Sequence, residues 1–305
     1  MPGPIVVGYE DTAQGRDALE LGVLLASLLG GRLLVALVYT HEPRLYQGSD
    51  EIHGDLLGQA GRTLGQAIDG LSLPRGVKID VVPLESPPPA RGLHAAHALK
   101  DLAARDEAQI LVVGSCRRGP IGRVLIGSVA ERLLHGAGCP VAVAPRGYGD
   151  QARLAPATVA VAYDGSEESD LALAEGAALA RAAGADLRLI NVLEPWEHGR
   201  ATMVPGRSES VLEAVERRHE RVLDSALAAI QESPIAEAKL LRGHADEVLV
   251  AQSKTDVDLL VIGSRGYGPL GCALLGGVSS GVVRAAACPI VVVPRPLDAR
   301  PLSAP

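Results

Sequence analysis

The chain has 305 residues, 47% of them hydrophobic, with a mean hydropathy of +0.19 and a formal net charge of −7. That length can bury about two cores of ordinary size and excludes an intrinsically disordered chain. With no Phe, one Trp, six Tyr and an acidic balance, the chain lacks both the stacking set and the basic footprint of a nucleic-acid binder. The start Met1-Pro2-Gly3-Pro4 runs into an apolar segment at Ile5 with no basic stretch before it, so no signal peptide is expected and a cytoplasmic protein is. Leu19 to Tyr39 is the longest apolar stretch. Gly30-Gly31-Arg32 interrupts it, which predicts a helix, a turn and a buried strand rather than a membrane span. A polar seam follows at Gly147-Tyr148-Gly149-Asp150-Gln151. Beyond it, strands are predicted over Thr158–Tyr163, Asp186–Leu193, Glu237–Leu241, Asp258–Gly263 and Pro289–Pro294, and helices over Glu167–Ala183, Ser208–Gln231, Ala245–Lys254 and Gly277–Ala286.

The two halves repeat each other. Ile110-Leu111-Val112-Val113-Gly114-Ser115 returns as Leu259-Leu260-Val261-Ile262-Gly263-Ser264, and Cys139-Pro140-Val141-Ala142-Val143-Ala144-Pro145-Arg146 as Cys288-Pro289-Ile290-Val291-Val292-Val293-Pro294-Arg295. Val6-Val7-Gly8-Tyr9-Glu10 corresponds to Ala160-Val161-Ala162-Tyr163-Asp164. Near-continuous Val/Ile/Leu strands alternating with helices read as a parallel sheet covered on both faces. The expected fold is therefore α/β, with two doubly wound, Rossmann-like domains of five strands each: residues 1–147, a linker at 148–156, and residues 157–305.

In such a sheet ligands bind beyond the carboxyl ends of the strands, where the strand order reverses. Two features fall there. Tyr163-Asp164-Gly165-Ser166 closes the first strand of the second copy, and a glycine loop from Gly263 to Val278 closes its fourth. Glycines let backbone approach a phosphate, and the helix that follows offers unpaired N–H groups. The plain alternative is that Asp164 only caps the following helix. Cys139 and Cys288 read as packing residues. His94 and His97 lie at helical spacing without a third ligand, so they read as a solvated face. There is no Gly-x-Ser-x-Gly elbow with triad partners and no carboxylate pair suited to catalysis, so an enzyme is not the favoured reading.

On these residues the chain resembles the universal stress protein family in its tandem two-domain form. That family's phosphate loop follows G-x2-G-x9-G-[S/T]. Gly263, Gly266 and Gly276 match it, while Gly277 stands in place of the Ser or Thr. The resemblance implies ATP as ligand, with Mg or Mn on its phosphates. It assigns binding roles to Asp164 and Val192 and, along the loop, to Arg265, Val278 and Ser279. The first copy keeps Val38, Gly114, Gly127, Ser128 and Val129, but has Glu10 where Asp is expected and Arg117 where the second glycine belongs. The second copy is therefore the better preserved. Ser279 or Ser280 is expected to make up for the hydroxyl missing at Gly277. Composition and the broken apolar stretch leave no nucleic acid or membrane partner expected, and the resemblance further implies a nucleotide-responsive regulator with an unidentified protein partner. It also implies a homodimer, and an intra-chain pseudo-dimer in which Val141–Ala144 pairs with Ile290–Val293. A nucleotide-free interaction scaffold and a slow ATPase are the competing readings.

Overall fold

In a computed structural model of the protein, the described residues are 3–40, 49–71, 73–86, 91–115, 127–150, 155–195, 208–230, 236–264 and 275–295. They form two compact units, one on each side of the polar seam.

The first unit comprises β1 (Ile5–Tyr9), α1 (Ala13–Leu29), β2 (Arg32–Thr40), α2 (Ser49–Asp69), β3 (Lys78–Ser86), α3 (Arg91–Arg105), β4 (Ile110–Gly114), α4 (Ser128–Leu134) and β5 (Val141–Ala144). Its strands lie in the order β3-β2-β1-β4-β5, and every pairing among them is parallel. The second unit comprises β6 (Thr158–Ala162), α5 (Glu167–Ala183), β7 (Asp186–Leu193), α6 (Ser208–Ala229), β8 (Ala236–Arg242), α7 (Ala245–Gln252), β9 (Leu259–Gly263), α8 (Gly277–Ala285) and β10 (Ile290–Val293). Here the order is β8-β7-β6-β9-β10, again parallel throughout. In each unit the winding reverses beside the first strand, between β1 and β4 and between β6 and β9.

The central strands are short and buried on both faces: Val6, Val7, Leu111 and Val112 in the first unit and Val159, Ala160 and Val161 in the second have no measurable exposure. Burying a Val or Leu side chain contributes about 1.5–3 kcal/mol, so a core without Phe is built by number rather than by size. One packing device recurs at the same register in both units. A Cβ on Gly22 of α1 would lie 2.3 Å from Val7 Cγ2, and one on Gly176 of α5 would lie 2.4 Å from Val161 Cγ2. Each glycine lets its helix settle directly onto the first strand. The Gly30-Gly31 break ends α1, with the Gly30 N–H donating to the Ala26 carbonyl.

Buried Asp17 of α1 accepts from the backbone N–H of Gly147 at 3.0 Å and of Gly149 at 2.6 Å, and Tyr148 between them is buried. The segment after β5 is thus fastened to the first unit by backbone donors on a carboxylate. No helix among the described residues is long and apolar enough to cross a membrane.

Candidate functional site

A cavity of about 290 Å³ opens at the carboxyl ends of β6, β7 and β9 in the second unit. Its floor includes Asp164, Val192 and Gly263, and α6 supplies a wall with Arg218, His219 and Val222. The fold explains the place, because the helices following β6 and β9 leave the sheet on opposite faces and part above the strand ends.

The turn after β6 is held open by its own side chains. Gly165 has φ +80°, and a Cβ there would also lie 2.9 Å from Val222 Cγ1. Left-handed backbone and close contact both require glycine at this position. Asp164 Oδ1 accepts from the Ser166 N–H at 3.0 Å and from the Ser166 hydroxyl at 2.5 Å. Ser166 is the N-cap of α5, its Oγ accepting from the Ser169 N–H at 3.3 Å. Asp164 therefore braces the cap rather than being the cap, and it also borders the cavity. Beside it, the Tyr163 hydroxyl donates to Asp170 at 2.6 Å. Burial first, then the Asp170 bond and charge, push that phenol up to about 12, so it remains a donor.

The corresponding turn in the first unit takes another path. Thr12 N–H donates to the Glu10 carbonyl at 2.7 Å, and the same carbonyl sits 1.8 Å from where a Gly15 Cβ would be. Glu10 is thus folded onto the start of α1, in space that the Ser169 side chain occupies in the second unit. Neither Glu10 nor Asp11 has positive φ.

Three helices of the second unit begin at this edge, and they differ in charge. The first turn of α5 carries Glu167, Glu168 and Asp170. The first turn of α7 carries Asp246 and Glu247, and Glu194 from the end of β7 accepts from the Ala245 N–H at 3.0 Å. In α8 the N-cap is Gly276, no side chain caps the helix, and its first turn holds no acidic residue. Among the described residues no side chain satisfies its first N–H groups, and its positive dipole end favours an anion. By contrast α4, its counterpart, has Glu131 in its first turn.

The expected site residues fall as follows. Asp164, Val192, Gly263, Val278 and Ser279 all line the cavity. Gly276 and Gly277 lie at the start of α8, and a Cβ on Gly277 would meet nothing within 4 Å. Arg117, Arg265 and Gly266 lie outside the described residues. Gly263 has a packing role as well: a Cβ there would stand 2.7 Å from the Glu168 carbonyl, and Gly114 has the same relation to Gln14 at 2.2 Å. The hydroxyl of Ser279 donates to the Gly263 carbonyl at 3.0 Å, which ties α8 to β9. Its proton is committed, so it does not supply the donor missing at Gly277. In the first unit Val38 is half-buried on β2, and Gly127, Ser128 and Val129 start α4.

Sequence reasoning passed over a polar relay at this site. Asn191, buried in β7, donates from Nδ2 to the Tyr163 carbonyl at 2.8 Å, and its Oδ1 lies 2.6 Å from His219 Nδ1. A single Asn within Leu189-Ile190-Asn191-Val192-Leu193 was the available signal, since a polar side chain on a buried strand needs partners. Glu194 was also missed. Elsewhere, burial pushes the thiols of Cys139 and Cys288 up to about 11 and about 12, as suits packing residues. His97 is exposed, and no group of three metal-ligating side chains occurs among the described residues.

Two parallel five-stranded sheets, each wound in both directions from its first strand, define a tandem protein of the Rossmann-like class. The chain belongs to the universal stress protein family, whose model matches residues 1–145 and 157–294. It is 34% identical over 194 residues to Universal stress protein Rv2005c of Mycobacterium tuberculosis, a match covering 61% of this chain and 62% of that protein. A second protein of that organism, Universal stress protein Rv2319c, is 28% identical over 95% of this chain and 99% of its own length. Among solved structures, a universal stress protein from Archaeoglobus fulgidus superposes with a TM-score of 0.64 at 18% identity, covering 96% of this chain and 98% of that one. The functionally unknown protein PA1789 of Pseudomonas aeruginosa has the same TM-score and identity, over 97% and 94%.

Proposed function

We propose that the second unit binds an adenine nucleotide, ATP being the form expected, and that occupancy of this one site makes the protein a nucleotide-responsive regulator rather than a high-turnover enzyme. The observation that carries this reading is the charge pattern of the helix starts. Of the three at the cavity edge, α8 alone has, among the described residues, neither a carboxylate in its first turn nor a side-chain cap. A phosphate chain belongs there, with the nucleoside towards Asp164 and Val192.

The cavity wall also bears on the form of the ligand. Its described charged groups include the Arg218 guanidinium and the carboxylates of Asp164, Glu168 and Glu194. Glu168 is paired with Arg295 at 3.3 Å, and among the described residues the carboxylates of Asp164 and Glu194 still outnumber the one remaining cation, Arg218, so a triphosphate is expected to enter with a divalent cation that neutralises part of its charge. The first unit, with Glu10 folded onto α1 and Glu131 at the start of α4, is the poorer host.

Purified protein is denatured and its supernatant analysed for nucleotide. Adenine nucleotide approaching one equivalent per chain supports the reading. None, together with no thermal shift on adding Mg-ATP, favours the nucleotide-free scaffold instead.

A further inference from the structure

We propose that Arg218 is a specificity-determining residue of the second unit's cavity, its guanidinium reading the phosphate that joins the nucleoside. The proposal rests on the nucleotide reading above and adds to it a cation on the side of the cavity opposite the start of α8.

Three arginines stand close together on α6. Arg217 pairs with Glu213 one turn earlier at 3.6 Å, and Arg221 Nε donates to the Arg217 carbonyl at 3.1 Å. Arg218 differs from both. Its neighbours at helical spacing are Ala214, Val215, Arg221 and Val222, so its own helix offers it no carboxylate. Among the described residues it takes part in no ion pair and no hydrogen bond, although it lines a cavity that also holds three carboxylates. Those carboxylates are engaged elsewhere. Glu168 meets Arg295 at 3.3 Å, Asp164 accepts from the Ser166 N–H at 3.0 Å, and Glu194 accepts from the Ala245 N–H at 3.0 Å.

The path of the chain sets this cation over the cavity. β7 and β8 are parallel, so α6 between them runs back from the carboxyl edge of the sheet. It passes the Asp164 turn at Val222, since a Cβ on Gly165 would lie 2.9 Å from Val222 Cγ1. Arg218 precedes Val222 by four residues, on the same side of the helix and about 6 Å further out. Side chains lean towards the start of their helix, which carries the guanidinium further beyond the strand ends. Asp164 and Val192 are in the floor beneath it.

A phosphate chain is thereby met from two sides. α6 leads from β7 outward to β8, and α8 leads from β9 outward to β10 in the opposite direction. With right-handed crossovers the two helices lie on opposite faces of the sheet. A nucleotide with its nucleoside at Asp164 and Val192 and its phosphate chain at α8 runs between them. The phosphate next to the ribose is its first anionic group beyond the Asp164 turn, and so the one nearest Arg218. The planar fork of a guanidinium matches two phosphate oxygens, whereas an uncharged nucleoside offers it nothing comparable.

The test titrates the intact chain, freed of nucleotide and with Mg²⁺ present, with adenosine and with AMP, which differ only in that phosphate. Wild type is expected to bind AMP more tightly than adenosine. Arg218→Ala should lower AMP affinity about tenfold and leave adenosine affinity unchanged. Tenfold is the low end for a charge-assisted contact, as suits an exposed side chain. Arg218→Lys keeps the charge without the fork and should recover part of the loss. Arg217→Ala removes the same charge one position away and should leave both ligands as in wild type, which separates a contact from the overall field of the protein. Alanine at an exposed helix position preserves the helix, so thermal midpoints should not fall. Four results overturn the proposal while leaving the nucleotide reading intact. They are AMP bound no more tightly than adenosine in wild type, unchanged AMP affinity in Arg218→Ala, an equal loss for adenosine, and an equal loss of AMP in Arg217→Ala. Failure of Mg-ATP, AMP and adenosine alike to bind wild type overturns the two together.

Discussion

Gly277→Ser offers the most demanding test of where the phosphates lie, because it predicts a gain. The residue is the first of α8, exposed, and a Cβ there would meet nothing within 4 Å. Among the described residues nothing stands in the way of an added side chain. Serine is also a better helix former than glycine, by about half a kcal/mol, so the variant should be at least as stable. Its hydroxyl stands at a helix start that no described side chain caps, where Ser279 cannot substitute because its own proton goes to the Gly263 carbonyl. One exposed hydroxyl bonded to a phosphate is worth about 1 kcal/mol, which corresponds to roughly fivefold in affinity. Calorimetric titration with Mg-ATP and with adenosine, on both proteins, isolates the effect. Tightening for the triphosphate alone is expected. No change, or equal tightening for adenosine, would refute a phosphate position at the start of α8.

Gly165→Ala should lower the thermal midpoint of the second unit, because it combines left-handed backbone with a 2.9 Å contact to Val222; a loss of about 1–3 kcal/mol is expected in denaturant titrations. Peptide mapping after iodoacetamide treatment at pH 8 should find Cys139 and Cys288 unmodified in native protein and modified in denatured protein, since burial holds both thiols far above the assay pH. Glu175 of α5 has its carboxyl raised by burial. A raised acid favours folding while protonated and loses that contribution as pH rises through its folded value. Glu175→Gln should therefore stabilise the protein at pH 7 and give no gain below the carboxylate range, as measured by thermal melts at the two pH values.

The fold was readable in the sequence because duplication gives each element two independent appearances. Asp186–Leu193 and Glu167–Ala183 match the observed β7 and α5 end for end, and α6 stops at Ala229 rather than Gln231. Short apolar strands bounded by Gly, Asp or Pro, and helices opened by Ser or Asp, are local signals that the tertiary structure had no reason to override. That Asp164 and Gly263 fall at strand ends was legible for the same reason. What was not readable depends on contacts between elements distant in sequence. That Ser279 spends its proton on Gly263 and that Glu194 caps α7 requires knowing which strand end faces which helix start. The His219–Asn191 relay spans 28 residues of sequence and has no motif. The packing role of Gly22 and Gly176 repeats at one register, but it becomes visible only when the helix lies on its strand.

The central claim is one adenine-nucleotide site per chain, located in the second unit. Its most direct test is a titration of the intact protein, freed of nucleotide, with ATP in the presence and absence of Mg²⁺. Wild type is compared with Asp164→Ala and Glu10→Ala. The account predicts a single site that needs the divalent cation, is lost in Asp164→Ala and is retained in Glu10→Ala. Two sites per chain, equal loss from both substitutions, or no binding under any condition would contradict it.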